Sequence, residues 1–402
     1  MDFQLFDADN HYYEAPDCFT RHGDETVRRY VRWVSEGKRR HLLFGDRQAT
    51  GAGLGFNSVP NPTFEPIARP GAFHDTLKAF ESGDQGKSTF AGRYGDLEPL
   101  SPVYQSREER LAAMDAQGVE KIFVFPTLGL TVEGFMAGDP EVMYKVMHAF
   151  NLWLDDDWGV NRDGRIYAPP VVPMLTVEGA VAELEWALSC GARVISIQPG
   201  PAYGRSPADT YFDPFWARVN EAGVLVAYHA LGGPSDYDRT FAEMYGTSSD
   251  PAYTGMLRMA VCSFERPMME TAQSLILGNL FGRFPNIRAA SIEMGGTWVP
   301  YLLHALDHSG PLLTRKVESF GTVLADRPSD VFKERFYVSP FPEEDVVGLV
   351  GLLGADHVLM GSDWPHPEGT PTPAAYAECL VGLPEKSVRR VMRDNALELV
   401  AA

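Results

Sequence analysis

Cysteine is scarce in this chain of 402 residues, and what there is makes no motif. The four cysteines, Cys18, Cys190, Cys262 and Cys379, are scattered with no CxxC spacing. That argues against a cysteine zinc site and suits free thiols in a cytosolic protein. Basic charge is also in deficit: 35 Lys and Arg stand against 54 Asp and Glu, a net charge of −19. A nucleic-acid or anionic-membrane partner needs clustered basic charge, so neither is expected. No apolar run is long enough to span a bilayer. The opening "MDFQLFDADN" lacks the charged-then-apolar layout of a signal peptide, so a cytoplasmic location is expected. Internal repeats and low-complexity tracts are missing as well.

What is present is a regular alternation. Eight apolar runs read as strands: 3–11, 121–127, 166–174, 192–200, 224–232, 287–295, 335–341 and 357–366. Most are continuously apolar, as parallel strands covered on both faces should be. Helix signals separate them. Ser106 with Glu109 forms a capping box, Asp139–Pro140 an N-cap with proline at the first helical position, and Thr176 and Gly191 bracket a third helix. Eight strands with intervening helices predict an α/β fold, a (β/α)8 TIM barrel built as a single unit over residues 1–402. A doubly wound open sheet is the alternative, weakened by the missing GxGxxG after the first strand. Insertions are expected after strands 1 and 5. The first, about 30–105, contains a hairpin turning at Gly37 and a Pro- and Gly-rich stretch, and is read as a lid over the barrel mouth. The second, 233–264, is read as a wall of the same mouth.

Barrel chemistry collects where strands end. "DADNHYYE" (7–14) ends the first strand with Asp7, Asp9, His11 and Glu14. Strand five ends at His229, strand six at Glu293, and strand eight at Asp363, followed by His366 and Glu368. Asp9 and His11 share a strand face. So many carboxylates in one mouth would repel unless one or two divalent cations held them. His11, His229, Glu293 and Asp363 are read as metal ligands from their agreement at four strand ends, with Glu14 and His366 as further candidates, and Asp363 and His366 are also assigned catalytic roles. Glu14 and His366 are the two whose part could instead be to orient a ligand. Asp7 alone reads equally well as a cap. His148, His304 and His308 fall on helices and read as packing or surface residues; His22, His41 and His74 lie in the insertion without a pattern.

These same segments, "DADNHYYE", "YHALGG", "RFPNIRAASIEMGG" with "WVPYLL", and "MGSDWPHPEG", resemble the amidohydrolase superfamily. The nearest group is the one typified by aminocarboxymuconate-semialdehyde decarboxylase. The resemblance runs over nearly the whole chain in motif order and implies the barrel already argued. It also implies a metal set of HxH on strand one, histidines after strands five and six, and an aspartate after strand eight. Carried over, these fall on Asp9, His11, His229, Glu293 and Asp363, so two histidine positions hold carboxylates. The bridging lysine of the superfamily is missing from "ARVISIQPG". Carboxylates in place of imidazoles harden a site toward iron or manganese. A carboxylate-rich branch with the same "DNHYYE" flavour is similar to the non-heme di-iron monooxygenases of platensimycin and platencin biosynthesis. That likeness implies two Fe ions, an external electron donor and a diterpenoid coenzyme A thioester as substrate.

The basic run 21–40 holds seven Lys and Arg and could grip such a phosphate-bearing handle through Arg39 and Arg40; a solvated charged face is the plainer reading. Trp364 is a further candidate substrate contact. The leading expectation is therefore an O2-dependent di-iron monooxygenase acting on an apolar small molecule. Its alternative is a mononuclear Zn- or Mn-dependent hydrolase or non-oxidative decarboxylase, the majority activity the resemblance implies. A homodimer is expected by the same resemblance.

Overall fold

The structure, a computed structural model, describes residues 2–36, 39–48, 67–72, 97–230, 237, 240, 243–244, 265–313 and 326–401. Its centre is a ring of parallel staves. β1 (Leu5–Tyr12) pairs with β7 (Val119–Pro126), which pairs with β8 (Ile166–Tyr167). β9 (Val194–Ile197), β10 (Leu225–His229), β11 (Ala289–Ile292) and β12 (Phe336–Val338) form the other arc. A bridge from Val171 to Ser196 joins the arcs on one side. On the other, the extended segment 358–364 bridges Val338 and Trp364 pairs with Asn10, which returns the ring to β1. This is the predicted (β/α)8 barrel.

Two of the eight expected strands are barely regular. The third reduces to two residues because "YAPPVVPM" carries prolines that cannot donate to a ladder. The eighth is held by single hydrogen bonds: Ala8 N to Met360 O, Asp363 N to Asp9 O and His11 N to Trp364 O, each between 2.8 and 2.9 Å. Gly361 is required there by contact. A Cβ on it would come within 2.6 Å of the Asp9 Cβ and 2.4 Å of the Ser339 Oγ.

The helices sit outside the ring and begin where the sequence places caps. Ser106, Asp139 and Thr176 each accept from the backbone N–H three residues on. The core between helices and barrel is anchored by Trp153, Trp158 and Trp216. The barrel interior is filled separately by Phe6, Ala8, Phe123, Phe125, Leu225, Ala227, Ala290 and Ile292, with Leu399 and Val400 closing the base.

The predicted hairpin is present: β2 (Val31–Glu36) pairs antiparallel with β3 (Arg39–Phe44), and β4 (Arg47–Gln48) extends it. Short β5 (Ile67–Ala68) and β6 (Leu97–Glu98) form a second antiparallel pair in the same insertion. Most of the expected wall at 233–264 lies outside the described residues. No helix among the described residues is long and apolar enough to cross a membrane.

One buried acid ties the loops above β7 and β9. Glu133 is buried and accepts from the Tyr203 hydroxyl at 2.8 Å. Burial raises its carboxyl to about 7, partly opposed by that hydrogen bond. The folded state therefore keeps a proton that the unfolded chain has released, and stability falls as pH rises from about 4.5 to 7. Glu133→Gln keeps the acceptor and removes the titration. The variant should lose less melting temperature than wild type between about pH 5 and pH 8; parallel curves would contradict this assignment.

Candidate metal centre

The site begins with an irregularity in β1. Asp7 lies opposite Ile122 and Asn10 opposite Val124, so three steps on β1 match two on β7. One extra residue reverses the alternation of faces. Before the slip, Phe6 and Ala8 point into the barrel. After it, Tyr12 faces outward onto Trp158, with ring centroids 5.0 Å apart. Asp9 and His11 thereby turn inward at the mouth, above Phe125.

Two other donors sit on unusual backbone. Glu293 has φ +54° and Asp363 has φ +53°, the left-handed region that non-glycine residues rarely adopt. Each directly ends a stave, and the reversed backbone aims its carboxylate across the mouth. Such conformations cost on the order of 1 kcal/mol or more and persist where surrounding structure imposes them.

The side chains then converge. Asp9 Oδ1 lies 3.3 Å from both His11 Nε2 and His229 Nε2. Glu293 Oε2 is 3.3 Å from His229 Nε2 and 3.6 Å from His11 Nε2. Asp363 Oδ1 is 3.3 Å from His11 Nε2 and 2.8 Å from His366 Nδ1. Three groups of donors lie close enough to share an ion: Asp9, His11, His229 and Glu293; His11, Asp363 and His366; and Glu293, Asp363 and Glu368. His229 Nδ1 lies 3.3 Å from the Ala230 carbonyl, an acceptor that suits an N–H there and leaves the Nε2 lone pair facing the cluster.

Fit to a metal can be judged from unpaired atoms. Among the described residues, His11 Nε2, Asp363 Oδ1 and His366 Nδ1 are buried and make no hydrogen bond despite their proximity. Buried polar atoms are normally paired, and here orphaned atoms of ligand type from three residues gather around one point, as the ligands of a cation would. Separations near 3 Å are those of adjacent ligands around a cation bonded at about 2.1 Å. Imidazoles and carboxylates together suit a divalent transition metal, and the residues fit one.

Electrostatics agree. Burial raises the Asp363 carboxyl well above the usual range, and Glu293 and Glu368 add to it. Burial, then Glu293, lift Glu368 to about 7. Burial would lift Asp9 as well, but His11 and His229 hold it well below the ordinary carboxylate range. Burial would depress His11, yet Asp9 and Glu293 raise it to about 9. Burial and neighbouring His11 push His366 far below its usual value. A bound cation would substitute for these protons.

Of the seven predicted ligands, six are brought together: Asp9, His11, His229, Glu293, Asp363 and His366. Glu14 is not among the groups. Its Oε1 accepts from the N–H groups of Leu128 and Gly129, at 2.7 and 2.8 Å, and so holds the loop after β7. The correction has a simple cause: residue 14 lies two positions beyond the end of β1, where alternation no longer applies. Glu368 takes a place in its stead, a residue seen at the strand end but not chosen. Its offset of five from Asp363, on an irregular turn, gives no periodic signal.

Asp7 braces rather than joins. It accepts from Ser362 N and Oγ, at 2.9 and 2.5 Å, and from Asn10 Nδ2 at 2.8 Å. Trp364 is buried, with the Arg110 guanidinium 4.8 Å from its ring and Tyr104 edge-on at 5.2 Å. Packing in the wall accounts for these contacts, and none of them calls for a substrate role. The side chains of Arg39 and Arg40 lie outside the described residues. Their neighbours in the basic run have partners: Arg21 binds Asp17 and Asp157, Arg29 binds Glu25, and Arg32 donates to Gly45 O.

Against this geometry, comparison with known proteins is direct. Residues 98–401 match the family described as Amidohydrolase. An amidohydrolase of known structure from Mycobacterium avium subsp. paratuberculosis K-10 is 34% identical, with all of both chains covered and a TM-score of 0.86. The chain belongs to the amidohydrolase family. The 2-amino-3-carboxymuconate-6-semialdehyde decarboxylase of Dictyostelium discoideum is 24% identical over 240 residues, 57% of this chain; the chain spans 59% of that relative's length. The 2,6-dihydroxybenzoate decarboxylase from Rhizobium shares the fold at 18% identity, a TM-score of 0.58, and 76% and 89% coverage of the two chains. So does a dihydroxybenzoic acid decarboxylase from Polaromonas sp. JS666, solved with bound manganese and 2-nitroresorcinol, at 16% identity, a TM-score of 0.57, and 83% and 94% coverage.

Two substitutions separate ligand from brace. Asp363→Ala should abolish metal retention after dialysis. Glu14→Ala should keep the metal but lower stability by about 1–3 kcal/mol, because Leu128 and Gly129 lose their acceptor. Elemental analysis and thermal melting report the two effects; metal loss in the Glu14 variant would reverse the assignment.

Proposed function

We propose that this chain is a divalent-metal enzyme that carries out non-oxidative decarboxylation or hydrolysis of a small carboxylic acid or its derivative. The observation that carries the metal dependence is the convergence of three buried, unpaired donors: His11 Nε2, Asp363 Oδ1 and His366 Nδ1. Membership of the amidohydrolase family and fold likeness to decarboxylases, one with manganese, support the reaction class. Manganese or zinc is the expected ion. When bound, it supplies a Lewis acid that polarises a substrate oxygen and eases deprotonation of water.

The chain's own residues would do the rest. His11, shared by two of the groups, would hold the ion together with Asp9, His229 and Glu293 on one side and Asp363 and His366 on the other. Glu368 is half-buried at the rim beside Glu293 and Asp363, a place from which its carboxyl could hand a proton to a substrate atom or take one away. Phe125 underlies His11 and His229 and keeps water from beneath them.

A second reading rests on the number of donors. Adding Glu368 to the six predicted ligands gives four carboxylates and three histidines. One octahedral ion accepts only about six donors, so the set has room for two. Two irons fed by an external electron donor would make the site an O2-dependent monooxygenase, and a coenzyme A thioester is then a candidate substrate. The described arginines of the basic run, engaged by acids and carbonyls, give that handle no support.

Metal content and oxygen dependence decide between the two. The favoured reading predicts about one equivalent of manganese or zinc, and equal turnover of a panel of aromatic and unsaturated carboxylic acids with or without oxygen. Two equivalents of iron with oxygen consumed in proportion to product would overturn it in favour of the second.

A further inference from the structure

We propose that Thr127 is a positioning residue that fixes the tautomer of His366, so that Nδ1 is presented bare toward the metal. The inference rests on the metal reading above and concerns a residue that no sequence signal marks. Thr127 follows β7 directly. Its hydroxyl lies 2.7 Å from the Tyr12 carbonyl oxygen and 2.9 Å from His366 Nε2.

A hydroxyl has one proton to give. The Tyr12 carbonyl cannot donate, so the short contact to it takes that proton. The hydroxyl then presents a lone pair to His366, and the contact is completed only if Nε2 carries hydrogen. In a neutral ring that leaves Nδ1 unprotonated. Nδ1 faces Asp363 Oδ1 at 2.8 Å, and among the described residues neither atom has a hydrogen-bond partner. Two lone-pair atoms at that distance repel unless a cation or a proton stands with them, and His11 Nε2 faces the same point.

The ring has little freedom to choose otherwise. It stacks on His11, with centroids 4.0 Å apart and planes at 28°, and meets the ring of Tyr13 at 5.7 Å. Thr127 is itself stiff at χ1 through its branched Cβ. Because the hydroxyl makes both contacts, removing it should matter more than removing the methyl. Partners of this kind, which hold the far nitrogen of a ligating histidine, typically change metal affinity by 10–100-fold when lost.

The test uses the full chain and the Thr127→Ser and Thr127→Val variants. Nitrogen-15 NMR of the metal-free protein reads the tautomer, with the His366 signals assigned by their loss in His366→Gln. Wild type and Thr127→Ser should show hydrogen on Nε2, and Thr127→Val should show a mixture. Titration with manganese should give an affinity about tenfold weaker in Thr127→Val and nearly unchanged in Thr127→Ser. Hydrogen on Nδ1 in the wild-type protein would overturn the proposal whether or not either variant folds. So would wild-type affinity and tautomer in Thr127→Val, while leaving the metal reading intact. An Nε2–H tautomer in a wild-type protein that takes up no cation would do the reverse: the assignment of Thr127 would stand and the metal reading would fall.

Discussion

Like charges and their complements packed into one dry mouth govern this structure. Asp9, Glu293 and Asp363 are buried against three buried imidazoles, with Glu368 half-buried beside them at the rim. Two unit charges about 4 Å apart interact by roughly 4 kcal/mol at the effective dielectric of a protein surface, and by more deeper inside. Protons can relieve part of that, as the raised values of Asp363 and Glu368 show. A divalent ion relieves it more completely and also satisfies the orphaned nitrogens and oxygen. The uncommon backbone at Glu293 and Asp363 makes sense only if those carboxylates have to point inward.

The rest of the mouth is braced around this cluster. Asp7 ties the first stave to the last through Ser362 and steadies Asn10. Arg110, buried with its pKa lowered to about 9 by desolvation, donates to Asn10 Oδ1, to His11 O at 2.6 Å and to Val103 O at 3.0 Å. Its guanidinium also lies near the rings of Trp158 and Trp364. One cation thus holds the backbone of a proposed ligand together with the residue that follows Asp363. Glu14, held by two backbone N–H groups, shapes the loop that begins with Thr127.

Much of this was legible in the sequence. Continuous apolar runs and capped helices located all eight staves, and six of the seven named ligands meet in space. The failures have physical causes. Uniform alternation would send Asp9 and His11 to the face opposite Ala8; the slip in register that turns them inward has no signature in the letters "DADNHYYE". Glu14 reads as a ligand from its nearness to His11 in sequence, but the chain has already left the strand. Glu368 and Thr127 reach the site from irregular segments, where side-chain direction depends on tertiary closure. The basic run looks like an open patch because one of Arg21's acid partners, Asp157, is 136 residues away.

Anomalous diffraction at the manganese edge from crystals of the metal-loaded protein tests the account most directly. The account predicts a peak bonded, at about 2.1–2.3 Å, to His11 and to donor atoms from among Asp9, His229, Glu293, Asp363 and His366. A mouth without a peak, or an ion bound away from those side chains, would contradict it.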